Sequence, residues 1–83
     1  MSLASIANHG LARRLIPRLD ACVANVQRVE PDGLAQQHAV VYASYLTDLT
    51  AGRIPADDST AASMLGLVVE FCELVEREYP TVN

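Results

Sequence analysis

The stretch from about residue 59 to residue 79 constrains the fold more than any other. On a helical wheel at about 100° per residue, with Val68 at zero, Val75, Ala61 and Tyr79 fall within about 20° of the origin. Met64, Phe71, Leu67 and Leu74 extend one flank to about −120°, and Cys72, Leu65 and Val69 extend the other to about +100°. Ser63, Gly66, Glu70, Glu73 and Arg77 hold the strip opposite. The apolar arc spans about 220°, roughly twice what a helix docked on one side needs. Such a helix wants neighbours on both flanks. A chain with only two other helices has few to offer, so a second chain is the economical cover.

Two breaks mark off those other helices. At Glu30-Pro31-Asp32-Gly33 the proline disfavours helix in the residue before it, and Asp32 suits the cap of the helix that follows. At Ala51-Gly52-Arg53-Ile54-Pro55, Gly52 fits the left-handed position just past a helix, and Pro55 stops continuation. Asp57, Asp58, Ser59 and Thr60 then offer caps for helix three, with acids suited to its positive end.

Helix one is expected over about 11–29, on the stripe Leu11, Leu15, Leu19, Cys22, Val26 and Val29. Pro17 must either kink it or start it. Residues 1–10 read as a separate N-terminal segment ended by His9-Gly10. Helix two is expected over about 33–50. Ala35, Ala39, Tyr42, Leu46 and Leu49 form one stripe, and Leu34, His38, Val41 and Tyr45 form an adjacent row, which together make a wide face. Period-two alternation is absent. The expected fold class is therefore all-α: one domain over 1–83, a three-helix antiparallel arrangement completed by homodimerisation through helix three.

Hydrophobic residues make up 51% of the 83 residues, which excludes intrinsic disorder. A chain this short buries only about 60–65% of the surface it exposes when unfolded, so apolar mass is in surplus. The formal net charge is −4, from six Arg and no Lys against ten acids, the opposite of the basic excess that phosphate binding needs. Arg13, Arg14, Arg18 and Arg28 against Asp20 give residues 1–29 a charge of +3. Asp57, Asp58, Glu70, Glu73, Glu76 and Glu78 against Arg77 give residues 54–83 a charge of −5. The two ends should attract, within one bundle or across a dimer, with Arg14, Arg18, Glu70 and Glu73 as candidate electrostatic contacts. The alternative use of Arg13, Arg14 and Arg18 is a dimeric nucleic-acid-binding or regulator accessory domain, but no aromatic interleaving accompanies them.

Chemistry-bearing residues are few. Cys22 and Cys72 lie on apolar stripes and read as buried free thiols. Neither they nor His9 and His38 show metal-ligand spacing. No glycine-rich phosphate loop occurs, and Glu70 and Glu73 share what reads as a solvated strip. No enzyme activity, cofactor, metal or small-molecule substrate is expected. The N-terminus lacks a signal-peptide pattern, and the longest apolar run near the C-terminus, Met64 to Val69, is too short to span a bilayer. The expectation is a cytoplasmic protein that is not a membrane protein.

What remains is a protein–protein interaction module. Its interface residues would be Met64, Leu65, Leu67, Val68, Phe71, Cys72, Leu74 and Val75. In size, acidity and helical layout the whole chain resembles small bacterial inhibitor proteins, in particular quorum-sensing antiactivators of LuxR-type regulators. That resemblance is one of outline and transfers no functional residue. It implies a homodimer that binds and inhibits a transcription factor by blocking its dimerisation, with helix three entering a groove of the target. Immunity proteins, secretion chaperones and structural subunits share the same outline.

Overall fold

The computed structural model describes residues 2–57 and 59–79. Among them are three helices and no strand: α1 (Leu3–Val29), α2 (Leu34–Thr50) and α3 (Ser59–Glu78). The 27 residues of α1 span about 40 Å at 1.5 Å each, which sets the 41 Å long axis of the molecule. α2 and α3 each pack along α1 but meet one another only sparsely. The chain runs up, down and up. At one end Asn8 donates to the Ala56 carbonyl at 2.7 Å, and at the other the Tyr79 hydroxyl donates to Glu30. α3 is therefore parallel to α1, and α2 is antiparallel to both.

α1 corrects the expected boundaries. It starts at Leu3 rather than near Leu11, so residues 3–10 belong to the helix and are not a separate segment. Ser2 is its cap, its hydroxyl accepting from the Ser5 N–H at 3.0 Å, which stabilises the helix by about 1 kcal/mol. The helix passes through Gly10 and through Pro17. Pro17 has no N–H for the Arg13 carbonyl, an interior cost of about 3 kcal/mol. Leu15 and Leu19 flank it and are 2% and 1% exposed. Burying two leucines contributes about 1.5–3 kcal/mol each, so packing outweighs the proline.

The ends of α2 follow different rules. Gly33, not Asp32, occupies its N-cap, and no side chain bonds there. At the other end Gly52 takes φ 80°, the left-handed conformation expected of it. The Gly52 N–H reaches the Leu49 carbonyl at 3.2 Å and the Arg53 N–H reaches the Asp48 carbonyl at 2.9 Å, the two bonds of a Schellman motif. An ion pair between Arg53 and Asp48 at 2.9 Å closes the same turn. Asp58, one of the expected caps of α3, lies outside the described residues.

The core lies between α1 and the other two helices. Ala12, Leu15, Leu19, Cys22 and Val26 of α1 face Ala39, Leu46 and Leu49 of α2 and Ala61, Leu65, Val68, Phe71, Cys72 and Val75 of α3. Among the described residues no buried residue is polar or charged.

Candidate docking surface

The eight interface candidates on helix three divide between two environments. Leu65, Val68, Phe71, Cys72 and Val75 are 0–8% exposed and belong to the chain's own core. Leu67 and Leu74 are each 46% exposed, and Met64 is half-buried. The wide apolar arc is thus partly filled at home, and its negative flank stays open.

That flank has a counterpart on α2. Tyr42 and Phe71 meet edge to face, with ring centroids 5.3 Å apart, so the sides of α2 and α3 that carry them line one seam. With Leu46 at zero on the α2 wheel, Tyr42 lies at about −40°, and Leu34 and Val41 continue the same side to about −120° and −140°. On α3, Phe71 lies at about −60°, and Leu67 and Leu74 continue to about −100° and −120°. Both pairs therefore rise on the face of the α2–α3 layer that points away from α1. Leu34 is 65% exposed and Val41 60%. Together the four residues expose on the order of 400 Å² of apolar surface, about the size of the largest patch on a typical monomer, which is often functional. Exposed His38, with its ring centroid 6.3 Å from that of Tyr42, sits between Leu34 and Val41 on α2, and exposed Glu78 at about −80° borders Leu74 on α3, so polar groups edge the strip at that end.

The other exposed apolar residues form no such surface. Leu3 and Ile6 lie on the first turns of α1, Val29 at its far end, and Val40 on the opposite side of α2. Ile6, His9, Gly10 and Arg13 line an open concavity of 370 Å³ along a single face of α1.

The electrostatic candidates separate as well. Arg18 grips Glu76 with two bonds, of 2.8 and 2.7 Å, linking α1 to α3. The Arg18 hydrogen bond holds the Glu76 carboxyl below its usual range, and the same bond raises Arg18. Arg14 is exposed with its guanidinium over Gly10, where a Cβ would meet it at 3.4 Å. Glu70 and Glu73 are exposed on the outer side of α3. The wheel could have identified Glu76: at about +80° it falls at the α1-facing edge of the apolar arc rather than in the polar strip.

Cys22 and Cys72 are free, buried and adjacent, with the Cys22 thiol 3.8 Å from the Cys72 carbonyl. Burial first, and then the neighbouring Cys72, push the Cys22 thiol up to about 12. Burial also raises Cys72. Among the described residues no three His, Cys, Asp or Glu side chains are grouped to hold a metal ion. No helix among them is long and apolar enough to cross a membrane. No protein-family model matches the chain, and no curated protein or solved structure matches it.

Proposed function

We propose that this chain is a helical protein–protein interaction module that docks through the α2–α3 seam. Its first partner is a second copy of itself. Its second is a regulatory protein, for example a transcription factor, which it inhibits by covering that protein's own dimerisation surface. The observation that carries this reading is the group of exposed apolar side chains, Leu34, Val41, Leu67 and Leu74, on either side of the Tyr42–Phe71 contact. Interface centres are built this way, apolar and depleted in charge, with charged groups at the rim.

The test is affinity purification with mass spectrometry, using wild type, Leu74→Asp and Val40→Asp as baits. A regulator retained by wild type and Val40→Asp, but lost from Leu74→Asp, supports the reading. The purified regulator should then pass from dimer to monomer when the chain is added. Equal retention by all three baits, or a regulator whose dimer persists, refutes it.

A further inference from the structure

The buried cysteines form a site of their own, on the flank of α3 turned away from the seam. Cys22 follows Arg18 by one helical turn on α1, and Glu76 follows Cys72 by one turn on α3. With α1 and α3 parallel, the long Arg18 and Glu76 side chains reach diagonally past the Cys22–Cys72 contact, and all four groups lie at one helix–helix interface. The Cys22 sulfur stands 3.8 Å from the backbone of Cys72, and the two residues are 2% and 0% exposed. The chain has two cysteines in all, and they are 50 residues apart in sequence, yet the fold places them side by side. The two side chains also interact with each other directly, thiol against thiol.

The geometry points to Cys22 and Cys72 as a dithiol that takes a small-molecule disulfide, such as glutathione disulfide, as its oxidant and closes into an intrachain bridge between α1 and α3. The Cys22 thiolate attacks one sulfur of glutathione disulfide, forming a mixed disulfide and releasing one glutathione thiolate. The Cys72 thiolate then attacks the Cys22 sulfur and releases the second. The protein gives up two electrons and two protons, and the oxidant leaves as two glutathione thiols. Burial keeps both thiols protonated while the helices are packed, so exchange proceeds through transient separation of α3 from α1. The closed bridge would pin that separation. It leaves the seam face untouched, because Cys72 lies at about +40° on the α3 wheel and Leu67 and Leu74 lie at about −100° and beyond.

The experiment is to refold the reduced full-length chain from urea in glutathione disulfide, quench with an alkylating agent and measure the intact mass. The expected product has lost two hydrogens, carries no alkyl group and migrates as a single chain on a non-reducing gel. Cys22→Ala and Cys72→Ala should each end as a glutathione adduct. The bridged form should melt at least about 10 °C above the reduced form, as a cross-link closing a loop of this length restrains the unfolded chain. Native protein should bridge more slowly than protein in sub-denaturing urea. Two alkylated thiols, glutathione on both cysteines, or a bridged form that melts below the reduced one would overturn the assignment.

Discussion

At the scale of single residues, the charge asymmetry along the chain was legible but the pairing was not. The basic N-terminal third and acidic C-terminal third do meet, and Arg18 meets Glu76 rather than Glu70 or Glu73. With side chains 37% and 46% exposed, that pair stabilises the fold by about 1 kcal/mol or less. Glu76 is held low, so its share is present at neutral pH and is lost as pH falls through its depressed folded value. The larger pH effect belongs to the alkaline side. Cys22 is held up to about 12 in the fold against an ordinary value of 9.0, so its protonated form favours the native state. Stability from this thiol is therefore complete below about pH 9 and falls as pH rises toward 12. Urea midpoints at pH 7 to 11 should decline for the wild type and decline less for Cys22→Ala. Tyr79, raised by its hydrogen bond to Glu30, contributes to the same arm and leaves a residual slope. An identical slope in both proteins would show that Cys22 is not buried as described.

At the scale of elements, the two interhelical breaks and the core stripes could be read from residue type alone. Gly52 and the buried Leu15, Leu19, Cys22 and Val26 of α1 and Ala39, Leu46 and Leu49 of α2 fall where their spacing puts them, whereas Val29 and the Leu34, His38 and Val41 row of α2 are exposed. The start of α1 could not be read that way. Gly10 and Pro17 are local breakers, and local propensity says stop at each. The helix continues because Ala12, Leu15 and Leu19 are buried against the other helices, a tertiary gain invisible to a local rule. Pro17 itself is exposed, so its ring contributes little packing to offset its backbone cost. Pro17→Ala should stabilise the protein by about 2 kcal/mol: roughly 3 regained in the helix, less about 1 because proline also restrains the unfolded chain. Urea unfolding followed by circular dichroism measures this directly. A destabilised Pro17→Ala variant would show that Pro17 is not a net cost to α1.

At the scale of the whole molecule, the width of the apolar arc on helix three was legible, but its division was not. Five of its eight candidate residues fill the chain's own core, since α1 lies along that side of α3. The open remainder needed the Tyr42–Phe71 contact to be located, because only that contact shows that the Leu34–Val41 row of α2 and the Leu67–Leu74 edge of α3 form one surface. The Leu34–Val41 row runs about 10 Å along α2 and the four residues expose about 400 Å², so a second copy stacked there would also have to cover the neighbouring faces of α2 and α3 to reach about 800 Å² per partner, the size of a standard interface. Four helices would then share a second core, with α1 of each chain outside it. Sedimentation velocity on the wild type, Leu67→Asp and Val40→Asp, from about 1 to about 500 μM, is the most direct test of docking through this face. The wild type and Val40→Asp should pass from monomer to dimer as concentration rises, while Leu67→Asp stays monomeric with its helical circular dichroism intact. A wild type that remains monomeric throughout, or a Leu67→Asp variant that dimerises as the wild type does, would contradict the account.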